Sequence, residues 1–371
     1  MACGIFDDCL MLLFDLPTET LIDIFGYLDP EWLQEDHARL LISKRWYAFA
    51  RTVWWKSLTL SASTLLQHSA ILEDNAHLIR SNLISLKIQL RGNENWSIPT
   101  REDSPGAPLH VYNHYNEYWV SAVGETQLDD WTKSLNRNLS RLVRNIEDCS
   151  KLRELRLEIF AEVNPHIDRV RRSYVSSSNI RSLFQVRPFR HIRTMHLDLC
   201  GLDLEGQSMD AGAYHICAWI RPFLSSLHTL TVRSYRICAA AFTPEDDAAV
   251  IFLKELVVNL CLFNESPGIS PSLMSFSCGN STEDMVLVTN IGIQMEALAA
   301  RMTSPQLVRL IFYGSSRSNL LVLNILTQRI RFLPQDILWS DPHDFYALEE
   351  SERSSLSSEV ENSPDSAESE T

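Results

Sequence analysis

Between about residues 80 and 340 the chain repeats one short arrangement of apolar positions, L-x-x-L-x-L with conservative replacements. It occurs at Leu83-Leu86-Ile88, Leu152-Leu155-Leu157, Ile192-Met195-Leu197, Leu227-Leu230-Val232, Leu253-Leu256-Val258, Leu273-Phe276-Cys278 and Leu307-Leu310-Phe312. Successive starts lie 69, 40, 35, 26, 20 and 34 residues apart. The last two positions of each copy alternate with polar residues, the period of a half-buried strand. Ahead of several copies the period changes to that of a helix. Apolar residues fall at Leu128, Trp131, Leu135, Leu139, Leu142, Val143 and Ile146, ending at Cys149-Ser150 just before Leu152. Residues 211–220, 289–302 and 320–332 read the same way. Helix followed by short strand, many times over, predicts parallel strands stacked along one axis in an irregular α/β solenoid. An ordinary α/β domain is the competing architecture.

The first sixty residues follow a different pattern. Pro17 suits a first helical turn, and Glu19 and Asp23 place acids toward the positive end of the helix dipole. Leu21, Ile24, Phe25 and Leu28 then make one apolar stripe, and Asp29-Pro30 ends the helix. A second helix is expected over residues 38–50. Its apolar side chains spread over an arc of roughly 260°, against roughly 100° for a surface helix. A segment this short has little core of its own. The second face therefore needs cover from the repeats or from another protein.

Charge narrows the partners. The 371 residues hold 33 Lys and Arg against 47 Asp and Glu, a net charge of −14, which argues against a nucleic-acid footprint. The apolar run at residues 9–14 is too short for a membrane helix and follows Asp7-Asp8 where a signal peptide would be basic. No membrane partner is expected, and the protein is read as soluble, in the cytoplasm and/or nucleus. The eight cysteines include no C-x-x-C and sit mostly in apolar segments, so they are read as reduced core thiols. From Glu349 to Thr371 eight acids and eight serines accompany a single base, the composition of a disordered tail, with Ser358 a candidate phosphorylation site. Residues 92–127 carry three prolines and the aromatics Trp96, Tyr112, Tyr115, Tyr118 and Trp119. They are expected to form a long loop that anchors a partner or packs onto the body.

Four separated blocks of the N-terminal segment resemble an F-box: Leu16-Pro17-x-Glu19-x-Leu21, Ile24-Phe25-x-x-Leu28-Asp29-Pro30, Ile42-Ser43-Lys44-Arg45-Trp46 and Trp55-x-x-Leu58. The downstream motif is similar to leucine-rich repeats, and the pairing resembles fungal F-box proteins. The resemblance implies a three-helix module that docks a Skp-type adaptor of a cullin–RING ubiquitin ligase. By the same resemblance, Leu16, Pro17, Leu21, Ile24, Leu28, Leu41 and Ile42 make the docking surface, while Phe25, Trp46, Trp55 and Leu58 hold the module together. The chain departs from the family in a longer, more polar stretch between Asp29 and Ser43, in Ser43 where cysteine is frequent, and in Thr20 where an aliphatic residue is usual.

The implied organisation is an N-terminal segment 1–13, an F-box at 14–60, an irregular leucine-rich-repeat-like domain at 61–348 and the acidic tail 349–371. Motifs for chemistry are absent: no phosphate-binding glycine loop and no G-x-S-x-G elbow. His110 and His114 lack the zincin pattern, and His191 and His196 flank a predicted strand without a third ligand. Glu158, Asp198 and Asp203 read as acids on a solvated strand face. The expectation is a non-catalytic, substrate-recognition subunit with no cofactor and no metal, whose client the sequence does not identify. A scaffold without ubiquitin transfer is the second reading, and an enzyme with a site hidden in the solenoid the third.

Overall fold

The structure, a computed structural model, describes residues 16–28, 30–90, 122–159, 162–163, 171–172, 175–185, 191–200, 216–234, 236–246, 250–262, 274–275, 277–278, 284–314 and 320–333. The acidic tail with Ser358, the aromatics of the predicted loop, His110, His114, Asp203, Cys3 and Cys9 lie outside the described residues. Among the described residues, no helix is long and apolar enough to cross a membrane.

Three helices open the described chain: α1 (Thr18–Gly26), α2 (Pro30–Glu35) and, after a 3-10 turn at His37–Leu40, α3 (Lys44–Trp54). A nine-stranded sheet follows, in the order β1-β2-β3-β6-β7-β8-β9-β10-β11. Strands β1 (Ser57–Ser61), β2 (Ser85–Leu90), β3 (Glu154–Ile159), β6 (Thr194–Leu199), β7 (Thr229–Ser234), β8 (Glu255–Asn259) and β9 (Leu307–Tyr313) pair in parallel, each beside the next in the chain. β10 (Leu320–Asn324) and β11 (Arg329–Phe332) then close the sheet as an antiparallel hairpin. A separate two-stranded pair, β4 (Glu162–Val163) with β5 (Arg171–Arg172), lies in the β3–β6 connection. Parallel neighbours need crossovers, and these carry the helices. They are α4 (Ala62–Gln67), α5 (Ser69–Asp74), α6 (Ala76–Asn82), α7 (Ala122–Ile146), α8 (Ser177–Gln185), α9 (Cys217–Ile220), a 3-10 turn at Ala239–Phe242 and α10 (Asp284–Ala299). Helix α7 packs on α4, α5, α6 and α8, α8 on α9, and the 3-10 turn on both α9 and α10.

Register explains the repeated motif. Leu58, Leu86, Leu155, Met195, Leu230, Leu256 and Val308 stand side by side across seven strands, and Leu60, Ile88, Leu157, Leu197, Val232, Val258 and Leu310 form the row above. All are buried. Side chains alternate faces along a strand, so both rows face the same core. The turn entering each strand is also repeated. One carbonyl per unit accepts two amides of the next: Lys56 from Ile84 and Ser85, Ile84 from Arg153 and Glu154, Arg153 from Arg193 and Thr194. The same pattern continues through Arg193, His228 and Lys254 to Gln306 and Leu307.

The structure corrects five expectations. The second N-terminal helix does not run unbroken over 38–50; it is a 3-10 turn and a separate α3, parted at Leu41, Ile42 and Ser43 because Ser43 caps the later helix. Residues 320–332 form the β10–β11 hairpin rather than a helix. Asn324 Oδ1 accepts the amides of Leu326 and Thr327, and Gln328 takes a positive φ of 55° to turn the chain. The described residues of the motif at 273–278 (274, 275, 277 and 278) belong to no strand: Met274 makes one antiparallel bridge to Cys261, and Ser275 spends its amide on Leu260 O. Strand β9, buried at every residue, takes the place beside β8 instead. Its register is also shifted, with Val308 rather than Leu310 opposite Leu256. Finally, residues 122–127, expected in the long loop, belong to α7, which begins at Ala122; the rest of that stretch lies outside the described residues.

Truncating the centre of the upper row opens a cavity on both neighbouring strands. Leu197→Ala should cost about 2–5 kcal/mol in urea unfolding, whereas Thr59→Ala, exposed on the edge strand, should stay within about 0.5 kcal/mol.

Candidate functional site

Two parts of the molecule hold unusual arrangements of side chains: the N-terminal helices and the polar face of the sheet. In the first, Pro17 stands at the N-cap of α1 with φ −52°, one residue before the first turn where the sequence suggested it. Phe25, Leu33, Trp46, Ala50 and Val53 form a small core, with Leu28, Leu40, Phe49 and Trp54 half-buried against it. The Phe25 ring lies 4.5 Å from Trp46 and 5.6 Å from Phe49, centroid to centroid. Local polar bonds hold the turns. Asp36 Oδ1 accepts the Ala38 amide at 2.9 Å and Ser43 Oγ accepts the Trp46 amide at 3.0 Å. Both are N-caps, each satisfying a donor with no intrahelical partner. The Trp46 indole N–H donates to Arg39 O, Arg45 Nη2 donates to Leu16 O at 3.1 Å, and the Arg39 guanidinium lies over the Trp32 ring at 4.4 Å. Gln34 Nε2 reaches the carbonyls of Trp54 and Ser57, tying α2 to the start of β1.

The residues assigned to docking and to the module core are thus distributed as follows. Pro17 is exposed; Leu16, Ile24 and Leu28 are half-buried. Leu21 is 1% exposed, outside both clusters of described core residues. Leu41 and Ile42, in the three-residue link between two capped turns, are 76% and 45% exposed. Of the four core residues, Phe25 and Trp46 sit in the module's own cluster, whereas Trp55 and Leu58 belong to the core of the sheet. Tyr27, 92% exposed, and the partly exposed Trp32 and Tyr47 add apolar surface to the module. Sequence reasoning did not mark Tyr27 or Trp32 as surface residues, because both lie off the stripe that defined the first helix.

The second arrangement is a polar row. On the face opposite the leucine rows, Gln89, Glu158, Asp198, Arg233 and Asn259 stand side by side, next to Lys87, Arg156, His196, Thr231, Val257 and Arg309. The two acids are not solvated as expected: Glu158 and Asp198 are buried and paired. Arg233 grips Asp198 with two bonds, Nε to Oδ1 at 2.9 Å and Nη2 to Oδ2 at 2.5 Å. Gln89 Nε2 donates to Glu158 Oε2 at 2.7 Å, and Arg156 donates to Oε1. Burial opposes the charge on Glu158, but Gln89 and Arg156 outweigh it and hold the carboxyl below its ordinary value. Asp198 similarly offsets burial at Arg233 and raises the guanidinium above its usual value. His196 is also buried. Burial first, then Arg156, holds its imidazole down to about 4. His191 is exposed, so the two histidines share no environment.

A histidine buried neutral binds its proton more readily when unfolded. Its contribution is present above about pH 6.5 and fades as the pH falls toward 4, and the depressed Glu158 carboxyl acts in the same direction at lower pH. Urea unfolding should show on the order of 2 kcal/mol less stability from His196 at pH 5 than at pH 7. His196→Asn should flatten that slope; an equally steep slope in the variant would assign it to other groups.

Comparison with known proteins bears on the first arrangement. Residues 13–61, which span the three helices and β1, match the F-box-like family model. No curated protein matches the chain. The chain carries an F-box-like domain at its N-terminal side, and F-box domains generally bind Skp-type adaptors.

Proposed function

We propose that this protein is the substrate-recognition subunit of a Skp–cullin–F-box ubiquitin ligase. The observation that carries the reading is the exposure of Leu41 and Ile42 on a module that matches the F-box-like family. Two aliphatic side chains held in water by a short capped link gain about 1.5–3 kcal/mol each when an apolar groove covers them. An apolar groove of a Skp-type adaptor that receives α1 together with the link before α3 supplies such cover. In this reading Pro17, Ile24, Leu28, Leu41 and Ile42 meet the adaptor, with Leu16 at the margin. Leu21 is already covered within the chain, and Phe25 and Trp46 keep the helices in place.

The rest of the chain acts as the client-binding body. Its parallel strands in chain order, the L-x-x-L-x-L rows and the repeated two-amide turn all favour a leucine-rich-repeat-like solenoid of the kind found with F-boxes, fungal ones included. Glu158, Asp198 and Arg233 are buried and internally satisfied, so they stiffen the sheet, and client contacts fall to exposed side chains. The subunit is non-catalytic. It accelerates transfer by holding a client lysine beside the charged ubiquitin carrier, an effect of proximity.

Co-purification of the full chain with a Skp-type adaptor tests this. The double variant Leu41→Asp, Ile42→Asp should keep the wild-type circular dichroism and melting temperature, because neither side chain is in a core. Adaptor affinity should fall by about 100-fold or more, the equivalent of some 3 kcal/mol of lost burial. Equal recovery by folded wild type and variant would refute adaptor docking at this surface. Adaptor binding with no change in client half-life would favour a scaffold role without ubiquitin transfer.

A further inference from the structure

Three cysteines that are distant in sequence meet at one point. Cys217 opens α9, Cys238 precedes the 3-10 turn at Ala239–Phe242, and Cys278 lies in the segment leading to α10. Their sulfurs all lie within 4.8 Å of one another, and those of Cys217 and Cys278 are 3.7 Å apart. We propose that Cys217, Cys238 and Cys278 form a three-thiolate site for a soft d10 metal ion, Zn(II) or Cu(I).

Geometry supports the assignment. A metal–sulfur bond of about 2.3 Å with tetrahedral angles puts two ligating sulfurs about 3.8 Å apart, close to the Cys217–Cys278 separation. The ligands come from three successive crossovers. Cys238 follows β7, and its own amide donates to Cys217 Sγ at 3.2 Å, which orients that sulfur. The segment carrying Cys278 is held by Ser275, whose hydroxyl donates to Ser234 O at 2.7 Å, and by Arg236 Nη1, which approaches Ser277 O at 3.5 Å. Arg236 thereby brings a positive charge beside a centre whose three thiolates would exceed the charge of one Zn(II) or Cu(I). Cys217 is buried and the other two are half-buried, so the site is protected yet reachable from solvent.

The donor set limits the ion. Thiolates select Zn(II), Cu(I) and iron–sulfur clusters over hard cations. Among the described residues no fourth histidine, cysteine or carboxylate joins the three. Three sulfurs suffice for trigonal Cu(I), and Zn(II) completes a tetrahedron with one further donor such as water. Each thiol that ligates gives its proton to solvent, and the bound ion joins three consecutive crossovers into one unit.

The test uses the full chain, purified reduced and stripped of metal, then titrated separately with Zn(II) and with Cu(I) under a competing chelator. Co(II) substitution reports sulfur ligation by its thiolate charge-transfer band. The expected result is about one equivalent bound by one or both ions, a sulfur-dominated Co(II) spectrum and a higher melting temperature on loading. Cys278→Ser, at a half-buried position, should weaken binding by more than about 100-fold, beyond the loss typical of an outer-shell partner; Cys149→Ser should not. Wild-type alkylation kinetics provide a check that needs no variant, since loading should protect these three thiols selectively. Neither ion retained by the folded chain, a Co(II) spectrum without sulfur ligation, or a Cys217–Cys278 disulfide forming in place of metal binding would each overturn the proposal.

Discussion

Parallel pairing of β1 with β2 decides how the N-terminal module meets the rest of the molecule. Strand β1 follows α3 with only Trp55 and Lys56 between them, and Leu58 and Leu60 enter the same two apolar rows that continue through six further strands. Trp55 packs in that core as well. The module is therefore the first unit of the sheet, not a bead on a linker. Arg51 Nη2 to Asn75 Oδ1, at 2.6 Å, adds a second tie from α3 to the crossover beyond β1. A surface carried on α1 and the link before α3 is thereby held at a set orientation to the sheet.

The exposed surface on that module has a local cause. Asp36 and Ser43 each cap a turn, and the three residues Leu41, Ile42 and Ser43 span the gap. A continuous helix would have turned one of the two aliphatic side chains toward Trp46 and Phe25. Splitting it leaves both facing water while the small aromatic core stays complete. The polar stretch around Gln34 and Asp36, which departs from the family pattern, has a role in this arrangement: Gln34 ties α2 to Ser57, and Asp36 makes the first cap.

Much of this was legible from residue pattern alone. Strands β2, β3, β6, β7 and β8 follow directly from the alternation in L-x-x-L-x-L, because a period of two buries one face whatever the surroundings. Pattern failed where two periods coincide. Leu320, Leu321, Leu323, Ile330 and Phe332 fit a helix as well as a hairpin, and Asn324 with Gln328 decides between them by making the turn. The helices α4, α5 and α6 are six or seven residues long, too short to show a 3.6-residue period. Glu158 and Asp198 look like ordinary strand acids until register sets Gln89 beside Glu158 and Arg233 beside Asp198. The meeting of Cys217, Cys238 and Cys278 has no sequence signature, since the intervals between them are set by the crossovers rather than by a binding loop.

The central claim is that the F-box-like module leaves an apolar surface for a Skp-type adaptor while the sheet stays free for a client. Amide hydrogen exchange on the full chain, with and without the purified adaptor, measures this without altering any residue. The account predicts added protection confined to residues 16–28 and 38–47, with β2 through β9 unchanged. Protection that falls on the sheet instead, or none at adaptor concentrations well above those of other F-box complexes, would contradict it.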